Sequence, residues 1–217
     1  MGTKIKGFIF DLDGVITDTA EYHYKSWQEL ADEEDLFFDR EVNEQLRGVS
    51  RMDSLDIILD GKEVPADVKK EWTDRKNAYY QEYLEEITKA DILDDMEAKL
   101  NKLKADGYKL AVGSSSRNAR KVLEHLQITD IFDTIADGNS VESAKPAPDL
   151  FLHAAKNLGL DPEECVVLED AESGVEAALA ANMKAVGVGP EARVGKAHLV
   201  YANVSDIDFD EILKKLQ

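Results

Sequence analysis

Six short apolar runs, each bounded by turn-forming residues, constrain the fold of this chain more than any other feature. They are Gly7–Phe10, Lys109–Gly113, Thr134–Ala136, Cys165–Leu168, Ala185–Val188 and His198–Tyr201. Continuous apolar runs of this length suit strands that are buried on both faces, as in parallel sheets. Helical patterns accompany them at about 97–106, 119–126, 148–158, 173–182 and 210–216. Strands that alternate with helices predict an α/β protein with a doubly wound parallel sheet.

One long segment breaks this alternation. From about Thr19 to Ala90 the pattern is helical almost throughout, and it contains no convincing strand. A segment of roughly 70 residues is long enough for a small domain. The sequence therefore predicts an α/β core domain at residues 1–18 and 91–217, with an all-helical cap domain inserted at residues 19–90. We expect a ligand pocket in the cleft between the two.

The charge of the chain limits its partners. The net charge at pH 7 is -19, so binding to nucleic acid or to an anionic membrane is electrostatically opposed. We therefore expect no nucleic-acid or membrane partner, whereas small phosphorylated substrates stay possible because the local charge of a pocket matters more. The single cysteine, Cys165, cannot form an internal disulfide, and no apolar run is long enough for a signal sequence or a membrane span. We expect a cytoplasmic protein, and a monomer by default.

The first apolar run ends in a pair of carboxylates, Asp11 and Asp13, followed by Gly14. Ligands in open α/β sheets bind beyond the carboxyl ends of the strands, where these two side chains are expected. In a chain this acidic, two aspartates at this spacing also arise by accident. The strand before them and the glycine after them favour a functional interpretation.

A serine run follows the second apolar run. Ser114, Ser115 and Ser116, then Arg117 and Asn118, stand at the start of a predicted helix. Hydroxyls and backbone N–H groups in that position can hold a phosphate. The alternative is that these residues are ordinary helix caps.

Two further charged motifs follow predicted strands. Lys145 precedes Pro146 in a proline-stiffened loop that would fix its ammonium group for a charged substrate, although a solvated surface lysine is the usual alternative. Glu169 and Asp170 follow the fourth apolar run and repeat the order of strand and acid found at Asp11. They could instead be acids that complement a helix dipole.

Taken together, the motifs favour phosphoryl transfer. Such a reaction needs a nucleophile, neutralisation of the phosphoryl oxygens and a group that manages a proton. Asp11 can attack and Asp13 can handle the proton, while Lys145, Ser114 and a metal ion neutralise charge. Hard oxygen ligands suit Mg²⁺, and four residues would offer them: Asp11, Asp13, Glu169 and Asp170.

The motifs resemble, in the same order, the four motifs of the haloacid dehalogenase superfamily: Asp11-Leu-Asp-Gly-Val, Ser114 at a strand end, Lys145-Pro146 and Glu169-Asp170-Ala-Glu-Ser-Gly. The resemblance implies a Rossmann-like core with a helical cap inserted after the first motif. It implies that Asp11 is the phosphorylated nucleophile and Asp13 the general acid and base. Ser114 and Lys145 would bind the transferring phosphoryl group. Mg²⁺ would be held by Asp11, the backbone carbonyl of Asp13, Glu169 and Asp170.

Motifs within the cap are similar to those of sugar-phosphate mutases of this superfamily: Asp18-Thr-Ala-Glu-Tyr-His23, Gln45-Leu-Arg-Gly-Val-Ser-Arg51 and Arg75-Lys-Asn77. The similarity implies that Arg51, Ser116 and Asn118 hold a second, non-reacting phosphate, with Ser115 and Arg117 in the same run. It also implies a set of residues around the sugar or at the cap hinge: His23, Trp27, Gly48, Val49, Ser50 and Lys76. The implied reaction interconverts β-D-glucose 1-phosphate and glucose 6-phosphate through an aspartyl phosphate and β-glucose 1,6-bisphosphate.

Some cap residues have plainer interpretations. His23 and Trp27 are four residues apart, so they share a helical face and could pack in a core. Lys76 could be a surface lysine. Arg51 could be half of an ion pair.

The chain also departs from the family pattern. Leu93, Asp94 and Asp95 stand where a Leu-Pro-Gly turn is usual, while Arg117 and Ser115 stand where lysine and alanine are common. These changes bear on substrate preference and on cap dynamics. They do not touch the nucleophile.

Two other functions stay open at the level of the sequence. A sugar-phosphate phosphatase of the same superfamily would share every core motif. A signalling domain that accepts a phosphate on an aspartate would share the strand-end carboxylate, but it would not explain the helical insert.

Overall fold

A six-stranded parallel sheet forms the centre of the protein, whose computed structural model describes residues 4–216. The strands are β1 Gly7–Phe10, β2 Lys109–Gly113, β3 Thr134–Ala136, β4 Cys165–Glu169, β5 Lys184–Val188 and β6 Leu199–Tyr201. Their spatial order is β3-β2-β1-β4-β5-β6, and every pairing is parallel. The predicted strands and the α/β fold class are confirmed. Residues 1–3 and 217 of the predicted core range lie outside the described residues.

Ten α-helices are described within residues 4–216. They are α1 Ala20–Glu33, α2 Arg40–Glu44, α3 Arg51–Leu59, α4 Ala66–Leu84, α5 Met96–Ala105, α6 Ala119–His125, α7 Asp149–Leu158, α8 Glu172–Ala180, α9 Glu191–Val194 and α10 Phe209–Leu216. The predicted core helices are found close to their expected positions, while the four-residue α9 is additional. Over the described range, no helix is both long enough and apolar enough to cross a membrane.

Successive residues of β1 pack on opposite faces of the sheet. Phe8 and Phe10 join a core cluster with residues of α5, α6 and α10, whereas Ile9 joins a second cluster with residues of α7 and α8. Side chains alternate across a strand, so a strand buried on both faces must be apolar at every position. This explains the continuous apolar runs of the sequence.

Five α-helices lie between β1 and β2, and the first four of them, the cap helices α1–α4, fall within residues 19–90. Residues 19–90 are all described, and none of them belongs to a strand. The cap helices bury an apolar cluster of their own that includes Trp27, Leu30, Leu55 and Leu59. This packing accounts for the helical pattern that interrupts the alternation of strands and helices.

The two chain segments that join the cap helices to the sheet run side by side. The Thr17 hydroxyl donates to the Asp91 carbonyl at 2.7 Å, and the Leu93 amide donates to the Ile16 carbonyl at 2.9 Å. Asp94, in the turn that departs from the family pattern, has a φ of 47°. The paired segments fix where the cap helices leave and rejoin the sheet.

Candidate active site

Asp11 and Glu169 lie side by side because β1 and β4 are neighbours. Phe10 pairs with Leu168, and the Asp11 amide donates to the Leu168 carbonyl at 2.9 Å. The chain builds β2 and β3 on one side of β1 and then returns to build β4, β5 and β6 on the other. Ligands of α/β proteins bind in the crevice at such a reversal of strand order. The first and fourth motifs therefore meet where a ligand is expected.

Lys145 is buried against both of these carboxylates. Its Nζ donates to Asp11 Oδ1 at 2.6 Å and also pairs with Glu169. Lys145 is 2% exposed and Glu169 is 0% exposed, so the surface-lysine interpretation is wrong. Burial alone would lower the pKa of Lys145, but the charges of Asp11 and Glu169 reverse this and raise it. Lys145 is therefore a fixed positive charge behind the proposed nucleophile.

Three buried carboxylates form a group that fits a divalent cation. Oxygen atoms of Asp11, Glu169 and Asp170 all lie within 4.8 Å of one another. Burial raises the pKa of both Glu169 and Asp170, as expected for carboxylates with too little compensating charge. Gly174 lets α8 start against this group, since a β-carbon there would clash with Glu169. Hard oxygen donors in this number are what Mg²⁺ prefers.

Asp13 points to a different set of partners. Its Oδ1 accepts hydrogen bonds from the Thr19 amide, at 3.3 Å, and from the Thr19 hydroxyl. Tyr80 in turn donates to the Thr19 hydroxyl oxygen at 3.1 Å. Burial, with a further contribution from the charge of Asp11, raises the pKa of Asp13 to about 6. A carboxyl group with a pKa near neutrality can both accept and return a proton. Sequence reasoning missed Thr19 and Tyr80 in this role.

The serine run is held in place by its own turn and by the cap. Ser114 is 2% exposed, and its hydroxyl accepts from the Ser116 amide at 3.2 Å. Ser116 in the same way accepts from the Asn118 amide at 3.2 Å. Ser115 donates to the Gly48 carbonyl at 2.9 Å, which links the run to the loop between α2 and α3. Asn118 is the N-cap residue of α6, but its side chain makes no capping hydrogen bond and is available to other partners.

Asn77 joins the cap to the serine run. Its Oδ1 accepts from Arg51 Nη2 at 2.8 Å and from Asn118 Nδ2 at 2.8 Å. Within residues 4–216, Arg51 forms no ion pair with a carboxylate, so the ion-pair interpretation is not supported. Burial and the neighbouring Arg117 lower the pKa of the Arg51 guanidinium. Sequence reasoning quoted Asn77 in a motif but gave it no role.

Lys76 is buried among aromatic rings. It is 2% exposed, and its Nζ lies 2.8 Å from His23 Nδ1. The same ammonium lies 5.0 Å from the centre of the Trp27 ring and 4.7 Å from that of Tyr80. The surface-lysine interpretation is therefore wrong. Burial, with the charge of Arg51, lowers the pKa of Lys76, and burial with the charge of Lys76 lowers the pKa of His23.

These groups surround one cavity of about 620 Å³ between the sheet and the cap helices. That volume lies within the range of small-molecule sites. Among the predicted residues, Lys145 and Glu169 do not line the cavity and lie behind Asp11 instead. The other predicted residues line it: Asp11, Asp13, His23, Trp27, Gly48, Val49, Ser50, Arg51, Lys76, Ser114, Ser115, Ser116, Arg117, Asn118 and Asp170.

The fold and the site together define a class of protein. Residues 8–188 match the model of the haloacid dehalogenase-like hydrolase family. The chain belongs to this family, and it is an enzyme of the phosphomutase and phosphatase type.

Individual relatives show which enzymes of this family the chain resembles. A β-phosphoglucomutase of Bacillus subtilis (strain 168) is 43% identical over 95% of this chain and 93% of its own length. A crystal structure of β-phosphoglucomutase from Clostridium difficile superposes with a TM-score of 0.94 at 42% identity, covering 98% of this chain and 97% of that one. A fructose-1-phosphate phosphatase of Escherichia coli (strain K12) is 31% identical over 87% of this chain and 98% of its own.

Proposed function

We propose that the protein interconverts β-D-glucose 1-phosphate and glucose 6-phosphate. The observation that supports this best is that one cavity is lined by two separate groups of residues, each of which would hold a phosphate. One group, Asp11 and Ser114 with Lys145 behind them, stands on the side of the sheet. The other group includes Arg51, Ser116 and Asn118: Asn77 accepts from both Arg51 and Asn118, and Ser116 accepts from the Asn118 amide. A mutase needs both groups, because it must bind a bisphosphate in either orientation.

In the proposed reaction the phosphoryl group passes through Asp11. A sugar hydroxyl oxygen attacks the phosphorus carried by Asp11, the bond from that phosphorus to the carboxylate oxygen breaks, and Asp13 takes the hydroxyl proton. The bisphosphate then turns round. Asp11 attacks its other phosphorus, and Asp13 returns the proton to the departing sugar oxygen. The pKa of about 6 suits Asp13 to both steps.

We propose Mg²⁺ as the cofactor. Asp11, Glu169 and Asp170 would hold it with the backbone carbonyl of Asp13. When bound, the ion neutralises charge on the transferring phosphoryl group. Lys145 and Ser114 would bind oxygens of the same group, and the fixed charge of Lys145 would help to neutralise them.

The cap helices would close the site. We propose that residues 19–90 act as a cap domain that moves against the core of residues 1–18 and 91–217, excludes water from the aspartyl phosphate and completes the second phosphate site. One chain supplies the whole cavity, so the proposed reaction needs no partner subunit and fits a monomer. A buried thiol at Cys165 fits the reducing cytoplasm.

The phosphatase relative supplies the competing function, because the same core residues would hydrolyse a sugar phosphate if water reached Asp11. Incubation with β-glucose 1-phosphate, a trace of β-glucose 1,6-bisphosphate and Mg²⁺ separates the two. A mutase yields glucose 6-phosphate with little inorganic phosphate. Release of inorganic phosphate as the main product would overturn the proposal in favour of the phosphatase. The variant Asp11→Asn should lose both activities.

A further inference from the structure

Four charged residues form a ring of ion pairs across the boundary between the cap helices and the sheet. Arg47, between α2 and α3, pairs with Glu44 of α2 at 2.9 Å and with Asp170 at 3.3 Å. Arg193 of α9 pairs with Asp170 at 3.6 Å and with Glu44 at 3.8 Å. Each side of the boundary therefore contributes one arginine and one carboxylate.

The ring includes part of the cation site. Asp170, which is 6% exposed, is one of the three carboxylates that lie within 4.8 Å of one another. Its Oδ2 faces both guanidinium groups. The guanidinium of Arg47, which belongs to the cap, thus pairs with an oxygen of Asp170, a residue that would hold Mg²⁺.

The two arginines differ in what holds them. Arg193 Nε donates to the backbone carbonyl of Asp170 at 2.6 Å, so it stays at this carboxylate whatever the cap does. Arg47 belongs to the cap and reaches Asp170 only while its loop sits on the core. In that position the Gly48 carbonyl accepts from Ser115, and a β-carbon on Gly48 would lie 2.6 Å from Ser173 Oγ. Arg193 is therefore at Asp170 in every position of the cap, whereas Arg47 reaches Asp170 only when the cap is closed on the core.

We propose that Arg47 is a positioning residue that couples cap closure to the occupancy of the cation site. Without substrate, its guanidinium holds Asp170 and opposes the arrival of a divalent cation, because like charges at such a short separation repel. Coupling of this kind is reciprocal, so the cation in turn weakens closure. A phosphoryl group with two negative charges removes the excess positive charge. Closure with a bound cation is then favoured only when substrate is present. This inference rests on the proposed function, in which the cation is Mg²⁺.

The affinity of the protein for Mg²⁺ in the absence of any phosphate tests the proposal directly. Isothermal titration calorimetry should show that Arg47→Gln binds Mg²⁺ at least about fivefold more tightly than the unaltered protein. Arg47→Lys keeps the charge and should restore the weaker binding. Arg40→Gln is the matched control, since Arg40 is an exposed arginine on α2 that pairs with Glu21 at 2.6 Å and does not line the cavity. It changes the net charge equally and should leave the affinity unchanged.

A second measurement follows closure itself. A spin label on an exposed residue of α3 and another on α7 should report a longer distance when Mg²⁺ is added to the unaltered protein, and little change in Arg47→Gln. Equal Mg²⁺ affinities for the unaltered protein and Arg47→Gln would overturn the coupling while leaving the proposed function intact. Equal tightening by Arg40→Gln would overturn it as well. If neither the unaltered protein nor Arg47→Gln bound Mg²⁺, both the coupling and Mg²⁺ as the proposed cofactor would be overturned.

Discussion

Lys145 Nζ lies 2.6 Å from Asp11 Oδ1 at the carboxyl end of β1, and both residues are almost completely buried. The same ammonium pairs with Glu169. A buried ion pair contributes little net stability, but removal of one partner leaves an uncompensated buried charge. Lys145 therefore holds together a group of carboxylates that would otherwise repel one another.

The variant Lys145→Met should test this role. We expect it to lower the free energy of unfolding by about 3–5 kcal/mol. Mg²⁺ should restore part of the lost melting temperature, because a divalent cation replaces the missing charge. Thermal melts with and without Mg²⁺ measure both effects. Lys196→Met is the matched control, since Lys196 also pairs with two carboxylates but is exposed, and it should change stability far less than Lys145→Met does. A melt of Lys145→Met identical to that of the unaltered protein would contradict the role.

The contact between Thr19 and Asp13 leads to a kinetic prediction. Thr19→Val removes the hydroxyl that Asp13 accepts from, so the carboxylate loses its fixed orientation. We expect kcat to fall by about 10- to 100-fold, with a smaller change in KM, because proton transfer to and from the sugar contributes on the order of 10²–10⁴-fold. Thr19→Ser keeps the hydroxyl and should retain most of the activity. Steady-state kinetics measure kcat and KM of both variants. An unchanged kcat in Thr19→Val would show that Asp13 does not depend on the Thr19 hydroxyl.

The sequence predicted the sheet well because the signal for it is local. Every residue of a strand such as β1 is buried, so its apolar run is continuous and its ends are marked by turn residues. The short helix α9 was missed because four residues carry no periodic pattern. The carboxylates were found because they directly follow strands whose ends share one edge of the sheet.

The residues that join the cap to the sheet were harder to find. Asn77 and Tyr80 line the cavity because α4 packs near the serine run. A contact between such distant parts of the chain does not show in the sequence around either residue. Their spacing from Thr73 and Lys76 would place all four on one face of a helix, which was the available signal. Arg47 was quoted in a motif, yet its contact with Asp170 depends on where the cap sits.

Gly48 gives a prediction about closure. It has a φ of +73°, and a β-carbon there would lie 2.6 Å from Ser173 Oγ and 2.8 Å from Ala171 Cβ. Gly48→Ala should therefore hold the cap loop off the core and lower kcat/KM at least about tenfold.

Gly61 provides the matched control for this change. It has a φ of +81° and no atom within 4 Å of an added β-carbon. Gly61→Ala carries the same backbone cost of about 1 kcal/mol without the clash. Its kcat/KM should equal that of the unaltered protein. If both variants lost activity to the same degree, backbone strain and not contact with the core would be responsible.

His23 gives a prediction about pH. Burial and the neighbouring Lys76 hold the pKa of His23 well below its ordinary value of 6.5. Below pH 6.5 the unfolded chain therefore binds a proton that the folded protein does not, so this residue lowers stability as the pH falls. In His23→Asn the effect disappears, because asparagine does not titrate. The stability of the unaltered protein relative to His23→Asn should fall by up to about 1.4 kcal/mol for each pH unit below 6.5.

Urea unfolding at several values between pH 5 and pH 8 measures this difference. Gln45→Asn, an exposed change in the same cap, should follow the unaltered protein at every pH. Parallel curves for His23→Asn and the unaltered protein would mean that His23 takes up a proton as readily in the folded protein as in the unfolded chain. The ammonium of Lys76, 2.8 Å from the ring nitrogen, could not then be opposing its protonation.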